Sequence, residues 1–172
     1  MFHIIKGNVA DLYKLNMGEH IIIHCCNDDG NWNHNVFSTL LSNHWKEAER
    51  SYKSYYRSMR LGDIRLSKID NNKFICNLIA RHCDSQTSRP RPIDFAINPQ
   101  KVCDYCNHKT SNVVFRHDAV DVGLRRLRQS LGGRKDVSVH VFKVDLKENW
   151  NRFYESLIKN FKDSQNNIYI YE

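Results

Sequence analysis

The sequence predicts an α/β fold, a layered sandwich around a mixed or mostly parallel sheet. Short apolar runs of strand length alternate with longer stretches whose large residues recur at helical spacing. The run from Glu19 to His24 holds Ile21-Ile22-Ile23 without a polar interruption, the pattern of a central strand covered on both faces. There is no self-similarity at a period of 20–50 residues, which excludes solenoids and propellers.

Each element follows from its own pattern. Phe2 to Ile5 reads as a strand, and Glu19 to His24 as the buried one. From Val36 to Tyr56 the large residues Phe37, Leu40, Leu41, Trp45, Ala48, Tyr52, Tyr55 and Tyr56 fall on one helical face. Strands are expected near Asp63 to Ile69 and Phe74 to Ala80, with Asp70-Asn71-Asn72 turning between them. Residues 84–112 hold all three prolines with many Ser, Thr and Asn, and no period persists, so they read as a long loop insertion. Val120, Gly123, Leu124, Leu127 and Leu131 restore helical spacing, and Gly132-Gly133 stops that helix. Val137 to Val144 reads as a strand. Trp150, Phe153, Tyr154, Leu157, Ile158 and Phe161 make the stripe of a last helix, and Ile168 to Tyr171 a last strand. The expectation is one domain over residues 1–172 carrying an insertion at about 84–112.

Composition bounds the function classes. With 172 residues, 41% of them apolar and 11% aromatic, the chain can bury a core without disulfide or metal staples. Disordered, collagenous and coiled-coil classes are excluded, and no apolar run approaches membrane-spanning length, so no membrane partner is expected. The balance of 26 Lys+Arg against 19 Asp+Glu gives a net charge of +7, which favours an anionic partner. The start, Met1-Phe2-His3-Ile4-Ile5-Lys6, lacks the pattern of a signal peptide. The six cysteines therefore read as thiols or metal ligands in a reducing compartment, and an intracellular location, cytoplasmic or nuclear, is expected.

Ligands of open α/β sheets bind beyond the carboxyl ends of strands, where loops lead into helices. The stretch from Ile21 through His24-Cys25-Cys26-Asn27-Asp28-Asp29-Gly30-Asn31-Trp32 is such an exit, with turn formers followed by a large aromatic. A helix starting after it would present free N–H groups to an anion, which suggests a polar, phosphate-bearing ligand. The alternative is an ordinary polar loop whose helix is capped by Asn33 or Asn35.

Lys6-Gly7-Asn8-Val9, His24-Cys25-Cys26-Asn27, Gly30-Asn31-Trp32 and Lys46-Glu47-Ala48-Glu49-Arg50-Ser51-Tyr52 occur in an order that resembles a macro domain. Leu61-Gly62-Asp63-Ile64-Arg65-Leu66, Phe74-Ile75-Cys76-Asn77-Leu78-Ile79 and Arg116-His117-Asp118-Ala119 extend the resemblance over most of the chain outside 84–112. The nearest branch holds ADP-ribose-1″-phosphate phosphatases and related ADP-ribosyl hydrolases. The resemblance implies a three-layer α/β/α sandwich and a binding site for ADP-ribose or a related nucleotide. It places Asn8 at the adenine amine in the position usually held by an acid, with Val9 packed near the base. It places Asn27 at the distal ribose, and Gly30, Asn31 and Trp32 at the start of the loop that wraps the phosphates. Two departures stand out. Asn33-His34-Asn35-Val36 replaces a run of glycines, and the second phosphate loop, around Phe142 to Trp150, contains none.

For catalysis the same resemblance points to His24 in the cleft and Asp145 in the second loop, assisting water attack. Arg81 stands near a position where some hydrolases use a lysine, and an arginine cannot serve there as a nucleophile. A structural His24 and a plain loop carboxylate at Asp145 are the competing readings. Cys103, Cys106 and His108 form a CxxC-x-His turn that, with Cys83, has the spacing of a structural zinc site; His82 or His117 are other fourth ligands, and free thiols are the alternative. No cofactor is expected to be required, and structural zinc is the one candidate. Leu124-Arg125-Arg126-Leu127-Arg128, with Arg134 and Lys135, gathers positive charge on one helix and the turn after it. Two functions are therefore expected as competitors. One is binding of ADP-ribose or a derivative, such as an ADP-ribosylated protein, with hydrolysis of ADP-ribose 1″-phosphate or ADP-ribosyl linkages. The other is a catalytically inactive, divergent module of the same fold that binds nucleic acid or a protein partner.

Overall fold

The computed structural model of the chain describes residues 1–15, 17–28, 30–32, 35–83 and 113–172. The expected strands and helices form, with differences of extent and with a short strand at Val113–Phe115 that the sequence pattern did not predict. Strands β1 (Phe2–Ile5), β2 (Glu19–Asn27), β3 (Ile64–Asp70), β4 (Lys73–Cys83), β5 (Val113–Phe115), β6 (Val137–Phe142) and β7 (Asn167–Tyr171) build one sheet. Its order is β1-β7-β6-β2-β4-β3, with β5 beside the end of β4. The pairs from β1 through β4 are parallel, whereas β3 and β5 run antiparallel to β4. The sheet is thus mixed, with β2 at its centre: Ile22 lies opposite Ile75 on one side and His140 on the other.

Side chains alternate across the pleat, and each face carries its own core. Helices α3 (His117–Leu131) and α5 (Trp150–Phe161) cover Ile21, Ile23, Leu78, Val139 and Ile168 with Leu124, Leu127, Phe153 and Leu157. Helices α1 (Val36–His44) and α2 (Lys46–Tyr55), with a 3-10 turn at Val9–Lys14, cover Ile22, Ile75 and Ile79 with Leu12, Phe37, Leu41 and Tyr52. The result is the expected three-layer sandwich. Gly132 ends α3 at φ 55°, the left-handed conformation in which glycine carries no Cβ penalty.

The differences have local causes. β2 continues three residues past His24, because β4 runs beside it as far as Cys83 and holds the backbone extended. The helical stripe from Val36 is cut in two at Trp45, whose backbone is extended (φ −138°, ψ 91°) while its indole is buried. Leu41 accepts from the Trp45 N–H at 2.7 Å, and Trp45 accepts from Ala48 at 2.9 Å, so both helix ends are satisfied through one residue. β6 stops at Phe142, and Lys143–Leu146 turns as a short helix, α4. The turn at Val9–Lys14 carries no helical stripe of its own and comes from its cap. Asn8 Oδ1 accepts from Ala10 N at 2.8 Å, and Asp11 Oδ2 accepts from Asn8 N at 2.8 Å. The expected insertion at 84–112 lies outside the described residues. Among the described residues no helix is long and apolar enough to cross a membrane.

Candidate functional site

The parallel strands β1, β7, β6, β2 and β4 all end on one edge of the sheet, and the candidate residues collect along it. A cavity of about 490 Å³ opens there between the ends of β1, β6 and β7. Gly7, Asn8 and Val9 form one side, Leu40 and Val144 another, and Phe142 and Tyr171 a third. The Phe142 and Tyr171 rings stack with centroids 4.4 Å apart, so that side is apolar. Lys143 and Lys147 also line the cavity, and Lys143 Nζ meets the Glu172 carboxylate at 2.9 Å.

One strand spacing beyond β6, and three beyond β1 (about 14 Å at ~4.8 Å each), β2 delivers its own group. The register between β2 and β4 shifts at Cys26/Asn27, where Asn27 comes opposite Arg81. The Asn27 side chain is fully buried, and neither Oδ1 nor Nδ2 has a hydrogen-bond partner among the described residues. Its backbone carbonyl accepts from Tyr52 Oη at 2.7 Å, and Tyr52 Oη in turn accepts from Gly30 N at 3.1 Å. That relay pins the start of the loop. Gly30 sits at φ 89°, where a Cβ would lie 2.5 Å from the Tyr56 ring, so only glycine fits this close approach. Asn31 is exposed on the loop, whereas Trp32 turns inward to 2% exposure and donates from Nε1 to Ser38 O at 3.1 Å. Trp32 therefore underpins the loop from the core, packed edge-on against His24 at 4.5 Å. His24 itself is fully buried, with Nδ1 3.2 Å from Cys26 Sγ. Burial, reinforced by the Asp145 charge, pushes the Cys25 and Cys26 thiols well up, so both are neutral packing groups rather than thiolates.

Asp145 occupies the centre of this edge. Its Oδ2 accepts from Cys25 N at 2.9 Å, and its Oδ1 accepts from Asn35 Nδ2 at 2.7 Å and from Arg81 Nη2 at 3.4 Å. Arg81 also donates to Cys25 O at 2.7 Å and to Asp145 O at 2.5 Å. One carboxylate thereby ties the exits of β2, β4 and β6 to the first turn of α1, which Asn35 caps through Ser38 N at 2.8 Å. A second buried pair lies beside it, Asp28 Oδ2 with His82 Nδ1 at 2.6 Å. Sequence reading considered His82 only as a metal ligand; the structure turns it to a carboxylate. The cavity-forming Leu40, Phe142 and Tyr171 were not anticipated, although an aromatic closing an apolar strand at the carboxyl edge is a usable signal.

Cys103, Cys106 and His108 lie outside the described residues, and Cys83 is placed only as the last residue of β4. Among the described residues no group of three or more His, Cys, Asp or Glu side chains is arranged to hold a metal. The basic helix is partly occupied within the fold. Arg126 binds Gly62 O at 3.0 Å and pairs with Asp63, while Arg134 meets Glu19 at 2.9 Å and Asp136 at 3.0 Å.

The second loop also holds a strained position. Lys147 has φ 45° and ψ −120°, a conformation that glycine tolerates and a side chain does not. Lys147→Gly is expected to raise folding stability by about 1 kcal/mol, read as a higher urea midpoint. An unchanged or lower midpoint would place the strain elsewhere.

No protein-family model matches the chain, and no curated protein matches it in sequence. Solved structures do match in three dimensions. A protein of unknown function from Bacteroides thetaiotaomicron superposes at TM-score 0.72 and 22% identity, over 99% of this chain and 97% of that one. A macrodomain protein from Streptomyces coelicolor superposes at TM-score 0.70 and 18% identity, over 100% of this chain and 99% of that one. Thermosipho africanus DarTG, solved in complex with ADP-ribose, matches at TM-score 0.58 and 10% identity, over 90% of this chain and 38% of that one. The chain has the macrodomain fold.

Proposed function

We propose that the carboxyl-edge cleft binds ADP-ribose or a closely related nucleotide, free or attached to a protein. The buried Asn27 amide carries this reading. A side chain enclosed in a well-packed sheet with both polar atoms lacking partners is destabilising by itself, and a ligand hydroxyl at the mouth of β2 would relieve it. The 490 Å³ cavity beside Asn8 and Val9 has the size and the aromatic, apolar lining that suit a base. Lys143 and Lys147 supply positive charge for the phosphates between the two ends. In this arrangement Asn8 and Val9 hold the base, Asn27 the distal ribose, and the loop Gly30-Asn31-Trp32 encloses the far end. The solved complex of the DarTG neighbour with ADP-ribose supports the choice of ligand.

Binding is the activity we assign, ahead of hydrolysis. His24 and Asp145 are the groups that would assist a water. Three donors already converge on the Asp145 carboxylate, though, so it is tied into the fold rather than turned to a water. Arg81, paired with it, has no nucleophilic form. Calorimetry with ADP-ribose tests the assignment. Binding to the unaltered protein should weaken about tenfold or more in Asn27→Ala, equivalent to ~1.4 kcal/mol. No heat from the unaltered protein with either ADP-ribose or a related purine nucleoside diphosphate ribose at near-millimolar concentration removes the reading. Phosphate release from ADP-ribose 1″-phosphate would shift the assignment to the hydrolase.

A further inference from the structure

The proposed cleft recognises its base through Asn8, and the state of that side chain determines which base edge it can read. An asparagine amide has one accepting end and one donating end. Ordinarily their assignment is ambiguous, but here the backbone resolves it: the atom 2.8 Å from Ala10 N must be the carbonyl oxygen, because two N–H groups cannot bond each other. The same turn is closed from the other side by Asp11 Oδ2 on Asn8 N at 2.8 Å, so flipping the amide would break a complete capping box. The accepting end is thereby committed to the 3-10 turn. Nδ2, a donor only, has no hydrogen-bond partner among the described residues and is the part of Asn8 left for a ligand.

Lys143 and Lys147 only donate. Lys143 Nζ holds Glu172 Oε1 at 2.9 Å, so the side-chain acceptor left on this side is Glu172 Oε2 and not an atom of Asn8, and Tyr171 Oη pairs with His140 Nδ1 at 3.0 Å. At Asn8 a base edge that carries a carbonyl oxygen meets a donor, whereas an exocyclic amine meets Nδ2 as donor against donor. We propose that Asn8 is a specificity-determining residue and that the cavity takes a 6-oxopurine nucleoside diphosphate ribose in preference to the 6-aminopurine one. This rests on the nucleotide-binding reading above and sharpens it to a base class.

Calorimetry of the full chain with inosine diphosphate ribose and with ADP-ribose, which differ at the purine 6-position, reads the preference directly. The oxopurine ligand is expected to bind at least fivefold more tightly. Asn8→Asp keeps the Ala10 cap through one carboxylate oxygen and offers the second as an acceptor, so it should reverse the order; its melting temperature checks that the turn survives. Equal or tighter binding of ADP-ribose by the unaltered protein overturns this inference and leaves the nucleotide-binding reading standing. Failure of both ligands at near-millimolar concentration overturns both.

Discussion

Asp145→Ala is expected to lower folding stability by about 3–5 kcal/mol, the cost of leaving one member of a buried ion pair alone. Arg81 is 8% exposed and Asp145 3%, so neither charge recovers its hydration when the other is removed. The loss is compounded because Cys25 N and Asn35 Nδ2 also give up their acceptor. Against a typical total of about 5–15 kcal/mol for a domain, this is a large share. Urea unfolding reads it as a fall in midpoint, which moderate salt should not mimic, because a buried pair is poorly screened. Arg81→Met in the same background should recover part of the loss, since removing both charges spares the unpaired one. A change under 1 kcal/mol in Asp145→Ala would show that the latch is not what holds the three strand exits together.

The second large effect concerns pH. On the face covered by α1 and α2, His140 is fully buried between Tyr169, stacked at 5.0 Å, and His20, whose Nδ1 is 3.1 Å away. Ser138 Oγ joins both imidazoles, at 2.8 Å to His20 and 2.9 Å to His140. Burial, with His20 adding repulsion, pushes His140 down from 6.5 to about 3, and burial lowers His20 as well. The folded protein therefore resists a proton that the unfolded chain accepts. The stabilisation from neutral His140 is complete above about pH 6.5, and is lost progressively as the pH falls towards 3. Between pH 7 and pH 5 the loss should amount to about 2 kcal/mol from this group alone. His140→Gln, which cannot take the proton, should flatten the profile across that range. A variant whose stability falls as steeply as the unaltered protein's would assign the acid sensitivity to other groups.

What the sequence made legible divides along distance in the chain. Strands and helices were readable because their signals are local: Ile21-Ile22-Ile23 for β2, the stripe from Trp150 to Phe161 for α5, the paired glycines after Leu131. The break at Trp45 was not, because the stripe of apolar residues continues across it and only the extended backbone of one residue interrupts it. Asn8, Val9 and Asn27 could be named as site residues through the resemblance of Lys6-Gly7-Asn8-Val9 and His24-Cys25-Cys26-Asn27 to a macro domain. That Asn8's carbonyl oxygen is committed to a capping box required the turn itself. The role of Asp145 depends on partners 64, 110 and 120 residues away, separations no spacing rule reaches. The cavity walls share that origin, since Val9 and Phe142 meet only because β1 closes the sheet against β7 and β7 against β6.

The hairpin end formed by β4 and β5 has a consequence for how this domain can vary. Cys83 and Val113 are cross-strand partners, as are Arg81 and Phe115. The chain thus leaves the sheet and re-enters it at neighbouring points, whatever the 29 residues numbered 84–112 contain. Closure entropy grows only logarithmically with the length of such a detour, so doubling it costs about 0.6 kcal/mol. Evolution can therefore lengthen, trim or exchange that stretch while the register at Arg81 and His82 stays fixed. It is a port at which new binding specificity could be grafted one strand away from Asn27, without renegotiating the sheet.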